Sequence, residues 1–274
     1  TEKADYDITK IKEVAEVVSG SVTAGSQLIE LAWWMKEQYG STMNQALKTV
    51  LPVKQKVKAR NKQVVQSMVG RENQCAPIAL NPMQQQIADR FCQDYDAGKR
   101  TPWLIHGITG SGKTEVYMAM IDHVLRQEKE VIVLIPEIAL TYQTVMRFYR
   151  RFGEKICVMH SRLSAGERYD LFERARRGET SIMIGARSAL FTPFLNLGLI
   201  IMDEEHEGAY KSEVTPRYHA REVAEKLAEM NGAQLIMGSA TPSVEAYAKA
   251  QAGIYELFTL DKRASGSGSL ASTE

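Results

Sequence analysis

The chain has 274 residues, 44% hydrophobic and 24% charged, the balance of an ordinary soluble globular protein with room for two domains. Its 34 Lys and Arg nearly cancel 33 Asp and Glu, so bulk charge selects no partner, and any nucleic-acid surface has to be a local patch of positioned cations. No apolar run approaches a membrane span and no signal peptide opens the chain; Cys75, Cys92 and Cys157 are too scattered for a metal site and fit a reducing compartment.

Residues 1–52 show helical spacing at 28–38, where Leu28, Leu31, Ala32 and Met35 share a face, and again at 42–50, ahead of Leu51-Pro52. Short helices in so brief a segment suit a small helical or winged-helix-like module. Residues 53–77 are polar and carry Lys54, Lys56, Lys58, Arg60 and Lys62. They read as a basic linker or exposed arm, with nucleic-acid contact as the alternative. From 78 to 262 short apolar strands alternate with amphipathic helices. The strands are expected at 103–106, 131–135, 156–159, 181–184, 199–202 and 234–237, and the helices at 83–95, 113–126, 138–151, 165–177, 219–230 and 243–252. Such alternation predicts right-handed βαβ units and a mainly parallel sheet with helices on both faces, whose ligands bind at the carboxyl ends of the strands. Residues 263–274, rich in Ser and Gly, read as a flexible tail or expression scar, and the lack of an initiator Met suggests a piece of a longer protein.

Three strand ends carry chemistry. Gly107-Ile-Thr-Gly-Ser-Gly-Lys-Thr114 fills the phosphate-loop pattern at every fixed position, between an apolar strand and a helix. Its glycines let backbone N–H groups turn toward a phosphate, and the following helix presents its positive end. Gly107, Thr109, Gly110, Ser111 and Gly112 are the expected cradle, Lys113 the contact to the β/γ-phosphates, and Thr114 a ligand of Mg²⁺. The second end, Leu199-Ile-Ile-Met-Asp-Glu-Glu-His206, runs an apolar strand into acids. Asp203 is expected to hold Mg²⁺, directly or through water, and Glu204 to orient the attacking water and take its proton. Successive strand residues point apart, which lets an adjacent pair serve both roles. At the third end, Met237-Gly-Ser-Ala-Thr-Pro-Ser243, Ser239 and Thr241 are expected to hydrogen-bond the neighbouring acids and sense a γ-phosphate, with Ser243 as a helix cap.

Loop, Asp-Glu-Glu-His and Ser-Ala-Thr in this order resemble superfamily 2 DNA helicases. Pro136-Glu-Ile-Ala-Leu-Thr141, Gly185-Ala-Arg-Ser-Ala-Leu-Phe191 and Pro216-Arg-Tyr-His-Ala-Arg221 narrow the likeness to the primosomal protein N′ family of bacterial replication-restart helicases. The resemblance covers 80–262, with a looser likeness of 28–52 to that family's winged-helix domain. It implies an α/β, RecA-like P-loop lobe preceded by a winged-helix-like module. The implied activity is ATP- and Mg²⁺-dependent 3′→5′ unwinding of forked or single-stranded DNA in the bacterial cytoplasm, associated with the nucleoid. Other primosome proteins and single-strand-binding protein are the implied partners, with no membrane. By the same likeness Gln84 reads adenine, His206 joins Lys113, Asp203 and Glu204 in catalysis, and Thr141, Arg187 and Ser188 contact the DNA backbone. The segment 208–218 corresponds to an aromatic-rich loop in which Tyr210 and Tyr218 stack on bases beside Lys211 and Arg217. The family's 3′-DNA-end-binding domain, zinc clusters and second lobe with its arginine finger are not recognised in the sequence. The chain is therefore expected to bind ATP weakly, hydrolyse it slowly and not unwind DNA alone. Another superfamily 2 translocase or RNA helicase, and a non-motor ATP-switched DNA-binding module, remain as alternatives.

Overall fold

A computed structural model describes residues 25–51 and 79–263; the basic stretch 53–77 and the tail from 264 onward lie outside the described residues. The chain opens with α1 (Ser26–Tyr39), which buries Leu28, Leu31, Ala32 and Met35 on one stripe and ends at Gly40, whose φ of +61° is the left-handed stop that glycine favours. In α2 (Met43–Val50) Thr42 and Gln45 form a reciprocal capping box. The same device starts α3 (Pro82–Asp96), where Asn81 and Gln84 cap each other.

Strand and helix then alternate: β1 (Trp103–Gly107), α4 (Lys113–Arg126), β2 (Glu130–Leu134), α5 (Tyr142–Phe152), β3 (Ile156–Met159), α6 (Ala165–Arg176), β4 (Ile182–Gly185) and β5 (Leu197–Asp203). They continue with α7 (Ala220–Asn231), β6 (Gln234–Ser239), α8 (Val244–Gln251) and β7 (Glu256–Leu260). Among the described residues all seven strands are parallel, in the order β3-β4-β2-β5-β6-β1-β7. The expected α/β architecture is what the chain adopts. Two details differ. The helix expected from 138 begins at Tyr142, because the segment before it forms a turn capped by Thr141. The edge strand β7 was not among the expected strands.

Side chains alternate across the sheet as the pleat requires. Trp103, Ile105, Val131, Val133, Leu199, Ile201 and Ile236 face α3, α4 and α5. Leu104, Ile132, Leu134, Ile200, Met202, Leu235 and Met237 face the other layer, with α6, α7 and α8. The helices α1 and α2 belong to that second core and do not form one of their own. Their buried stripe continues onto α7, the Tyr39 hydroxyl donates to Glu222 Oε2 at 2.5 Å, and Gln27 donates to Asn231.

Candidate active site

Because every strand runs the same way, the loops after β1, β2, β4, β5 and β6 all open on one edge, and that edge collects the predicted residues. At the end of β1, a Cβ on Gly107 would lie 2.7 Å from Ser111 Oγ and 3.1 Å from Lys113 Cγ, so the loop closes only over a glycine. Gly110 and Gly112 hold φ of +80° and +81°, the left-handed backbone that turns the loop into α4. Lys113 is buried, and its Nζ donates to the Gly107 carbonyl at 2.7 Å. Thr114, half-buried, follows in the first turn of α4, while Thr109 is exposed at the loop's tip.

Two observations in the loop fit a phosphate-bearing ligand. Ser111 Oγ is buried with no hydrogen-bond partner, an orphan of the kind that a ligand oxygen satisfies. The α4 N-terminus contributes its N–H groups and dipole at the same place. Gln84 is committed differently from its expected role. Its Nε2 donates to the Ser111 carbonyl at 2.8 Å and its Oε1 accepts from the Asn81 N–H at 2.9 Å, so the carboxamide braces the phosphate loop with both ends engaged.

The acids stand two strands away. β6 separates β1 from β5, a gap of roughly 10 Å at ordinary strand spacing, and the long Lys113 side chain spans it. Lys113 Nζ lies 3.8 Å from Glu204 Oε1. Asp203 closes the β5 ladder opposite Gly238. Burial and then the Glu204 charge push its carboxyl up to about 6, against the opposing pull of Lys113 and of the Tyr117 hydroxyl, which donates to Asp203 Oδ1 at 3.1 Å. Tyr117 fits only because residue 238 is glycine; a Cβ there would fall 1.6 Å from the tyrosine oxygen. His206 reaches across to the third motif: its Nδ1 is 2.7 Å from Ser239 Oγ and 3.7 Å from Glu204 Oε2. Ser239 Oγ also accepts from the Thr241 N–H at 3.0 Å. The serine was expected to hydrogen-bond the neighbouring acids; it meets the histidine and its own loop instead. No group of three or more His, Cys, Asp or Glu among the described residues could hold a metal. Mg²⁺ needs fewer protein ligands than such a group, since substrate phosphates and water complete its shell. Asp203 and Thr114 are of the donor types that it takes, a carboxylate and a hydroxyl.

The expected DNA contacts divide sharply. Thr141, Ser188, Lys211 and Arg217 are exposed along the same edge. Thr141 is occupied in part, since its hydroxyl caps α5 through the Thr144 N–H at 3.3 Å. Arg187 donates from Nη1 to the Ala209 carbonyl at 3.2 Å and to that of Lys211, so it holds the loop after β5 from beneath. The stacking role of the tyrosines is corrected. Tyr210 is 1% exposed and Tyr218 4%, and neither ring has a face free for a base. Tyr210 turns inward to donate from its hydroxyl to the Asp203 carbonyl at 2.7 Å, and Tyr218 packs edge-on against Phe191.

Sequence reasoning missed Tyr117, whose hydroxyl contacts Asp203, and the structural part played by Tyr210. It also gave no role to Glu205 or Arg221, although both sit inside motifs quoted from the sequence. Three acids in succession, with a buried-face tyrosine one helical turn after the loop lysine, were the available signals.

Residues 77–244 match the family model described as "Type III restriction enzyme, res subunit". Residues 1–52 match the model described as "3'DNA-binding domain (3'BD)", which corrects the expectation that such a domain is missing and falls on the segment read as winged-helix-like. The replication restart protein PriA of Bacillus subtilis is 51% identical over 187 residues, 68% of this chain and 23% of that protein. PriA of Treponema pallidum is 38% identical over 255 residues, 93% of this chain and 38% of that protein. The chain thus spans about a quarter to two fifths of the length of these relatives. Among solved structures, RecG bound to a three-way DNA junction shares the fold at a TM-score of 0.53 and 18% identity, over 88% of this chain and 30% of that one. The chain belongs to the family that the res-subunit model describes and, within that likeness, to the PriA-type replication restart helicases.

Proposed function

We propose that this chain carries the nucleotide-binding lobe of an ATP-driven DNA helicase, working 3′→5′ on forked or single-stranded DNA during bacterial replication restart. The observation that carries the reading is the meeting of Lys113, Glu204 and Asp203 at the mouth of a glycine loop that holds an orphaned serine hydroxyl. In this reading the loop N–H groups and Ser111 bind the phosphates, and Lys113 releases the Gly107 carbonyl to take the β/γ-oxygens. Thr114 and Asp203 would hold Mg²⁺, which would supply charge to offset that developing on the transferred phosphoryl group. Glu204 orients the attacking water and accepts its proton, and His206 ties Glu204 to Ser239 so that the third motif registers the outcome. Single-stranded DNA passes over Thr141, Ser188, Lys211 and Arg217, while Arg187, on the Ala209 and Lys211 carbonyls, links that surface to the Tyr210–Asp203 contact.

An arginine finger from a second lobe typically supplies roughly 10³–10⁵ in rate, so the isolated chain is expected to hydrolyse ATP slowly and not to unwind DNA. Other primosome proteins and single-strand-binding protein are the proposed partners of the longer protein. The test is Mg-ATP binding and DNA-stimulated hydrolysis with Lys113→Ala and Glu204→Gln. The first should weaken binding roughly 10- to 100-fold and abolish turnover, and the second should keep binding but stop turnover. Full turnover by Glu204→Gln favours the non-motor switch, and stimulation by RNA in preference to DNA favours an RNA helicase.

A further inference from the structure

The strand end that carries Asp203 and Glu204 runs on into a buried polar cluster that the proposed hydrolysis does not use. Glu205 is 1% exposed. Its Oε1 accepts from the Ser243 N–H at 2.6 Å, and its Oε2 accepts from the Ser243 hydroxyl at 3.0 Å and from Arg221 Nη1 at 3.3 Å. Arg221 is also buried, in the first turn of α7, and its Nη1 lies 2.7 Å from Ser243 Oγ. Its Nε is buried with no hydrogen-bond partner. Ser243 in turn caps α8 through the Ala246 N–H at 3.2 Å. The end of β5, the start of α7 and the start of α8 are therefore pinned at one point. A buried ion pair of this kind is weak evidence for stability, because two well-packed apolar residues often do as well. Its place beside the candidate active site points to another purpose.

That purpose lies one residue back. Glu204 has φ of +46°, a left-handed backbone that a non-glycine residue holds only at a cost, when its surroundings over-determine it. On one side Asp203 is fixed in the ladder opposite Gly238. On the other, the Glu205 N–H donates to the Gly238 carbonyl at 3.1 Å and the Glu205 carboxylate is locked onto Ser243 and Arg221. With both neighbours held, the chain has to turn at Glu204, and the turn aims its carboxylate at Lys113 and His206.

We propose that Glu205, Arg221 and Ser243 form a latch that holds Glu204 in its left-handed turn and so aims the water-activating carboxylate. Glu205 and Arg221 are positioning residues, since neither reaches the phosphate loop. The inference rests on the nucleotide-hydrolase reading. It is tested in the 274-residue chain with Glu205→Gln, Arg221→Met and Arg221→Lys. The readouts are Mg-ATP affinity from a fluorescent ATP analogue, single-turnover hydrolysis with protein in excess, and thermal unfolding. A displaced general base costs rate and leaves binding alone, so affinity should stay within about 3-fold while the rate falls roughly 10- to 100-fold, with Arg221→Lys recovering part of it. Folded variants that hydrolyse at the wild-type rate, or whose rate loss merely follows lost affinity or lost folded fraction, overturn the latch. Should the charge variants fail to fold, Ser243→Ala keeps the backbone donor to Glu205 and removes only the hydroxyl; an unchanged rate there overturns the latch as well. A wild-type chain that neither binds nor hydrolyses ATP overturns the hydrolase reading itself, which separates the two failures.

Discussion

Asp203→Asn makes the chain more stable while removing its proposed metal ligand, and the size of the gain follows from the site. Burial and the Glu204 charge raise the Asp203 carboxyl from 3.8 to about 6. An acid that titrates higher in the folded chain than in the unfolded one contributes stability below the unfolded value and loses it as pH rises through the folded value. A shift of about 2 units at 1.36 kcal/mol each means that the ionised group costs the metal-free fold about 3 kcal/mol at pH 8. Asparagine keeps the shape, and its Oδ1 can still accept from Tyr117, but the buried charge is gone. Urea unfolding without Mg²⁺ should therefore show the variant ahead by about 3 kcal/mol at pH 8, and by about half that at pH 5, where the folded wild type keeps most of its proton. A variant no more stable than wild type at pH 8, or an advantage that does not shrink at pH 5, refutes the claim that the site strains an unneutralised carboxylate.

Three further outcomes are expected. Lys113→Ala should weaken Mg-ATP binding roughly 10- to 100-fold in a fluorescence titration, the worth of one charge-assisted contact of about 1.5–3 kcal/mol. Gly238→Ala drives a methyl into the Tyr117 hydroxyl, which stands 1.6 Å from the Cβ position, and should cost about 1–3 kcal/mol in urea unfolding; in a Tyr117→Phe background the penalty should shrink, and equal penalties would contradict the clash. Leu31→Ala, at a fully buried position of α1, should cost about 2–5 kcal/mol and lower the unfolding of Trp103 in the sheet together with the helical signal, because α1 shares the α7 core.

The sequence is most legible where a pattern has one physical cause. The phosphate loop needs glycine at 107, 110 and 112 because of a closed cradle and two left-handed turns, and the apolar run ahead of Asp203 needs a strand buried on both faces. Those signals place the loop and the acids on one edge of a parallel sheet before any coordinates. The tyrosines mislead because their neighbours do. Lys211 and Arg217 are exposed, as charged loop residues tend to be, and Tyr210 and Tyr218 beside them point inward to fill the core under the same loop. Tyr117 hides in the opposite way. Helical spacing marks it as an apolar core position, which it is, but spacing says nothing about where the hydroxyl at the end of the ring arrives. The strand at Glu256–Leu260 is a partly exposed edge with a single neighbour, β1, and lacks the long apolar run of the inner strands.

Three successive carboxylates end and follow β5, and their separate fates give the reason why the proposed site would favour a divalent cation. The pleat sends Asp203 toward Tyr117 and α4, the left-handed turn at Glu204 sends the next one toward Lys113, and the ladder bond at Glu205 sends the third beneath the sheet edge to Arg221. Arg221 commits its Nη1 to Glu205 and Ser243, which leaves Lys113, among the described residues, as the cation facing both of the other acids. Two carboxylates against one ammonium is an excess of one negative charge, and the Glu204 charge adds to burial, the larger cause, in raising the Asp203 carboxyl. A monovalent partner would only balance the count. Mg²⁺ held by Asp203 would reverse it and would supply the surplus positive charge that a triphosphate tail requires at the mouth of the loop.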